Sequence, residues 1–131
     1  MTMTDPIADM LARIRNAIAV QRNTINLPHS NLKAEVAGVL QKQGFIDEVN
    51  AEEVAGFKRL SLTLCQPGEN VRITELKRLS SPGRRLYSRV TDLPRSMSGR
   101  GVVIVSTSRG MMTDAEARRK RVGGELICEV Y

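Results

Sequence analysis

The pentapeptide QPGEN, residues 66–70, divides the chain into two halves of different character. Adjacent Pro and Gly among polar residues interrupt helix and strand alike. Before this break, apolar residues recur mainly at helical spacing. After it, they alternate or run in short β-branched blocks. A boundary at the break gives two small domains, 1–66 and 67–131, which within 131 residues must share an interface.

In the first half, TDPIADMLARIRNAIAV reads as a helix, with Asp5 as N-cap and Pro6 at the first helical position. Ile7, Met10, Leu11, Ile14 and Ile18 fall on one face, and Asp9, Arg13 and Asn16 on the opposite one; Arg15 lies at the edge of the stripe. TINLP is a short strand ended by Pro28. Ser30 caps a second helix, NLKAEVAGVLQKQ, with Leu32, Val36, Val39 and Leu40 as its apolar face and Gly44 as its stop. FIDEV is expected to be a strand, NAEEVAG a polar connector and FKRLSLTL an alternating strand, giving α-β-α-β-β.

In the second half, VRITELKRL reads as a strand that could bulge near Leu76, SSPG as a turn and RRLYSRV as a strand. TDLPRSMSGRG is a loop with room for one helical turn, and VVIVST is a β-branched strand. TDAEARRKR is a short helix with a capping box from Thr113 to Glu116, and ELICEVY a final strand. The predicted fold class is α+β: two closely packed small domains, the second mostly antiparallel β with one short helix.

Apolar residues make up 41% of the chain, enough for a core, and with two Phe, two Tyr and no Trp that core is aliphatic. No apolar run approaches the ~18–20 residues that span a bilayer. MTMTDPIADM has no basic region leading into an apolar core, so no secretory signal is expected. Cys65 and Cys128 lack metal-ligand spacing and read as buried thiols in a reducing compartment.

Residues 1–66 hold seven Lys/Arg and seven Asp/Glu, whereas residues 67–131 hold thirteen and seven and so carry the whole net charge of +6. A basic half favours a polyanionic partner. Catalysis finds little support. One histidine, His29, and two scattered cysteines build neither a zinc site nor a Ser-His-Asp triad. Ser30-Asn31-Leu32-Lys33 matches S-x-x-K, but the companion motifs are missing and helix capping explains Ser30. No phosphate-cradling loop occurs. No cofactor, metal or small-molecule substrate is expected, and no membrane association.

The cations of the second half are grouped. Arg84 and Arg85 follow the SSPG turn, Arg109 follows three hydroxyls, and Arg118, Arg119, Lys120 and Arg121 close the short helix. The last group suits either phosphates or the helix dipole. Ser106-Thr107-Ser108-Arg109-Gly110 lets a backbone approach RNA without bulk and hydrogen-bond sugars and base edges in a shallow groove or irregular internal loop. Few aromatics argue against a stacking platform. Tyr87 is the exception, as either a stacking ring or a core or edge tyrosine. These residues point to structured RNA as the ligand.

DPIADMLARIRNA, SNLKAEVAGVL, GFI, SSPGRRLY, VVIVSTSRGMMTDAEAR and GGELICEV, in this order and spacing, resemble the S-eight family of small-subunit ribosomal proteins over essentially the full chain. The resemblance implies two packed α+β domains and a primary binder of the central domain of 16S rRNA. It implies a grip on a helix with an irregular internal loop, a part in organising the platform during assembly, and a cytoplasmic place in the small subunit. It assigns RNA contact to Ser106, Thr107, Ser108, Arg109 and Gly110, with Tyr87 and Glu125 close by. It adds Thr4, Asp5, Arg15, Asn16, Ser30 and Lys33. Thr113 has two candidate parts, capping its helix and fixing the turn. The implied protein contacts are small-subunit proteins five and twelve, and some members also repress the message of their own operon by the same surface. The chain departs from the family pattern at Arg109 and Ser81, where lysine is usual, and at Arg121, where a small residue or glycine is common.

Overall fold

The computed structural model describes residues 5–131. It divides into two compact units, Pro6–Ile73 and Asp5 with Thr74–Tyr131. No helix among the described residues is long and apolar enough to cross a membrane.

In the first unit, α1 spans Pro6–Ala19 and buries Ile7, Met10, Leu11, Ile14 and Ala17. Ala17, not Ile18, takes the last inward position; Ile18 is half-buried. β1 (Thr24–Pro28) leads to α2 (Asn31–Lys42), which Ser30 caps by accepting from Lys33 N at 3.2 Å. The expected apolar face of α2 is rotated by one residue at its start. Leu32 is 39% exposed, while Lys33 is 7% exposed and donates from Nζ to the Pro28 carbonyl at 2.8 Å. Lysine's apolar stem can cover core surface once its ammonium finds an acceptor.

β2 spans Glu48–Val54 and β3 spans Phe57–Thr63, in an antiparallel sheet ordered β1-β3-β2. The order α-β-α-β-β is as expected, but the β2 boundary is not. Residues 45–47 are outside the strand, and most of the expected connector, residues 50–54, is inside it. A polar edge strand does not need apolar alternation, because its backbone pairs with β3 whatever its side chains are. Ala55 and Gly56, both at positive φ, turn it into β3.

In the second unit, β4 (Leu76–Arg78) and β5 (Tyr87–Ser88) pair with β8 (Gly124–Val130), whose other edge pairs with β6 (Val102–Thr107); β6 in turn pairs with β7 (Gly110–Thr113). Every pairing is antiparallel. The two strands expected at 71–79 and 84–90 shrink to three and two residues. Between them the SSPG turn closes through reciprocal Ser81–Arg84 backbone bonds of 3.0 Å. β7 was not anticipated: a two-residue turn, Ser108-Arg109, carries no Asn-Gly signal. α3 (Asp114–Lys120) is capped by Thr113, which accepts from Glu116 N at 3.2 Å, and packs Ala117 onto Val103, Val105, Met112 and Leu93.

The three α-helices among the described residues end alike. Gln21, Gly44 and Arg121 adopt left-handed conformations, and the residue after each bonds back to the carbonyl of Ala17, Leu40 or Ala117. At Arg121, φ is +55°, which explains why glycine suits that position. Both cysteines are buried and free, and burial pushes the Cys128 thiol up to about 12.

Candidate nucleic-acid interface

Register brings together residues far apart in sequence. Tyr87 of β5 lies opposite Glu125 of β8, and Glu125 lies opposite Ser106 of β6. Directly opposed residues in antiparallel strands share a face, so Tyr87, Glu125 and Ser106 form one transverse row. The next rung, Val105 with Leu126, points the other way, into the cluster beneath α3. Tyr87 is 71% exposed. The core alternative for this tyrosine is therefore removed, and its ring stands at the sheet edge.

Two glycines hold the row together. A Cβ on Gly124 would collide with the Ser106 carbonyl, and one on Gly123 with the Ser88 carbonyl. Only glycine lets β8 enter between β5 and β6 this closely. A buried hydroxyl completes the support. Ser80 Oγ donates to Glu125 Oε2 at 2.6 Å and accepts from Leu86 N at 3.1 Å, while Arg85 Nη1 donates to the same carboxylate oxygen at 3.1 Å. Burial pulls the Glu125 carboxyl upward, but the hydrogen bonds from Ser80 and Arg85 outweigh it and hold the group below the usual carboxylate range. Sequence reasoning missed Ser80; the consecutive Gly123-Gly124 was the one visible trace of the close approach.

Beside the row, the β6–β7 hairpin ends in Ser108 and Arg109, both exposed. Thr107 closes the turn: its Oγ1 donates to the Gly110 carbonyl at 2.8 Å and accepts from Arg109 N at 3.1 Å. Gly110 sits at φ +109°, a conformation that glycine adopts without strain. Among the described residues, the hydroxyls of Ser106 and Ser108 make no side-chain hydrogen bond, which leaves them free to donate or accept. Thr113 ends β7 opposite Ile104 and caps α3, so it anchors the hairpin's far end. Arg84 is exposed directly after the SSPG turn.

The remaining predicted residues are spread more widely. Thr4 lies outside the described residues. The Asp5 carboxylate accepts from Arg78 Nε at 3.0 Å, and Arg78 also donates from Nη1 to the Ile127 carbonyl at 2.6 Å. Within the unit Pro6–Ile73, Arg15 and Asn16 are exposed on α1. Asn16 borders a cleft of about 340 Å³ that includes Arg22, Val20 and Ile25. Ser30 is occupied as a cap and Lys33 by the Pro28 carbonyl.

The C-terminal arrangement offers a ring, a carboxylate, free hydroxyls and guanidinium groups on a rigid sheet end. It can hydrogen-bond, stack and attract phosphate. A model of the family described as Ribosomal protein S8 matches residues 5–131. Relatives named small ribosomal subunit protein uS8, from Staphylococcus aureus strains JH9, Newman and JH1, are each 48% identical, over 100% of this chain and 100% of their own. A family match across nearly every residue, joined to that level of identity over full length, shows that the chain belongs to the ribosomal protein S8 family.

Proposed function

We propose that this chain binds the central domain of 16S rRNA directly, at a helix with an irregular internal loop, and helps to organise the platform of the small subunit. The family is one of structural ribosomal constituents, not enzymes, and its place is the cytoplasmic small subunit. The observation that carries the reading is the row Tyr87–Glu125–Ser106, with Tyr87 exposed and Glu125 and Ser106 half-buried, beside the exposed Ser108–Arg109 turn. In this reading Arg84, Arg85 and Arg109 meet phosphates, Tyr87 stacks on a splayed base, and Ser106, Ser108 and Glu125 address sugars or base edges. Thr107, Gly110 and Thr113 set the shape of the turn. Arg15, Asn16 and Ser30 would add contacts from the other unit, and small-subunit proteins five and twelve are the proposed protein neighbours.

The test is direct binding of a central-domain RNA fragment, with sedimentation of the tagged chain beside it. Tight binding to the fragment and co-migration with small-subunit particles are expected. A chain that binds the fragment no better than a scrambled helix, or that stays out of the particles, overturns the reading.

A further inference from the structure

The surplus charge of the C-terminal unit is not concentrated at the row. Arg89, Arg95, Arg119, Lys120 and Arg121 are all exposed. Among the described residues none of their side chains forms an ion pair or a hydrogen bond. Three segments bring them together. Arg118 Nη2 donates to the carbonyls of Leu93 and Pro94 at 3.1 and 2.9 Å, which fastens the loop carrying Arg95 to the last turn of α3. Gly123 lies against the backbone of Ser88 and Arg89, which sets Arg89 beside the chain leaving α3. Arg118 itself is answered by Asp114 at 2.8 Å.

The part of the patch made by Arg95 and the end of α3 lies on the α3 side of the sheet, the side of Val105 and Leu126, because Leu93 and Ala117 pack there. The Tyr87–Glu125–Ser106 row points to the opposite side. One RNA segment seated on the row therefore leaves the patch uncovered. The helix dipole does not account for it either: a dipole is satisfied near the helix end, and Arg89 and Arg95 are not on the helix. Segment 89–100 carries a single carboxylate, Asp92.

We infer that the patch is a second RNA-binding surface, which holds the phosphates of an RNA segment distinct from the one met by the row and does not read its bases. The inference rests on the RNA-binding function proposed above and adds a second strand or helix to it. An acidic protein fits less well. Protein interfaces are organised around clustered apolar anchors, and on α3 and segment 89–100 the one exposed large apolar side chain is Met97. Phosphate contacts need no such anchor. The protein would then tie two RNA segments together from opposite faces of one sheet.

The experiment uses the full chain, a central-domain RNA fragment and a labelled short generic RNA duplex. Wild type saturated with the fragment is expected to take up the duplex at low salt and release it as salt rises. Arg95→Gln, Arg119→Gln and Lys120→Gln combined should weaken duplex uptake by about tenfold or more, with fragment affinity changed by less than about twofold. The matching Lys variants at 95 and 119 should retain uptake, because charge is what the phosphates see. Failure of the saturated protein to take up duplex, undiminished uptake by the Gln variant, or displacement of the duplex by poly-glutamate at equal charge would each overturn the inference. Wild type that takes up duplex but ignores the fragment supports the second surface and removes the function proposed above.

Discussion

Thr107 and Gly110 face each other on the last rung of the β6–β7 hairpin, joined by a 2.8 Å bond from the threonine hydroxyl to the glycine carbonyl. The same hydroxyl accepts from Arg109 N. Of three consecutive hydroxyls, the middle one holds the turn and its neighbours are free. Thr107→Val should therefore lower stability by about 0.5–1.5 kcal/mol and weaken every RNA together. Ser108→Ala should leave the thermal melt alone and cost specific binding about 1–3 kcal/mol. Melts beside titrations with cognate and scrambled helices check the pair; equal losses on both RNAs for Ser108→Ala would make that hydroxyl a shaping group.

Arg109 is exposed at the hairpin end and makes no ion pair among the described residues. Arg109→Gln should weaken cognate and scrambled RNA alike and lower the slope of log K against log salt by roughly 0.7–0.9, the share of one phosphate. Ser108→Ala should leave the slope unchanged. A salt series on both variants reads this directly, and an unchanged slope for Arg109→Gln would place its guanidinium away from phosphate.

Glu125 lends the fold a pH dependence. Its carboxyl is held below the usual glutamate value in the folded state, because the hydrogen bonds from Ser80 and Arg85 outweigh the upward pull of burial. A depressed folded value stabilises the protein above the unfolded value, and that contribution is lost as pH falls through the folded one. The denaturant midpoint of wild type should thus fall as pH drops through the carboxylate range, and Glu125→Gln should flatten that part of the profile. Ser80→Ala should flatten it partly and cost about 1–3 kcal/mol at neutral pH, since Leu86 N loses a buried acceptor. Identical acid profiles for wild type and Glu125→Gln would refute the assignment.

Ile14 and Asn16 stand two residues apart on α1, one fully buried and one exposed. Ile14→Asp puts a carboxylate into an aliphatic core and should cost about 4 kcal/mol or more. Asn16→Ala should shift stability by less than about 0.5 kcal/mol while weakening RNA binding. A melt with a binding assay separates them; an Asn16→Ala chain that binds RNA normally per folded molecule has no contact there.

Arg121 takes a left-handed conformation at the end of α3. Arg121→Gly should raise stability by about 0.5–1 kcal/mol, the steric cost relieved less the extra freedom of unfolded glycine. Unchanged or lower stability by thermal melting would mean that the arginine's own contacts outweigh the strain.

The sequence by itself determined the helices. Helical period, an N-cap and a stop lie within a few residues of one another, so Ser30, Gly44 and Thr113 could be read locally. It also determined the VVIVST strand, whose β-branched run admits little else, and the family, whose motifs are contiguous. Tertiary structure decided what depends on distant partners. β7 and most of β2 are strands because β6 and β3 supply pairing, and their own residues carry no apolar alternation. Lys33 is buried because the Pro28 carbonyl receives its ammonium, and Leu32 is displaced as a result. Asp5 meets Arg78 across 73 positions of chain. Tyr87, Glu125 and Ser106 become one row only when β8 slides between β5 and β6, which two glycines permit. Local periodicity fixes which face a residue occupies; it cannot fix register, because register is set by pairing between segments that the sequence keeps apart.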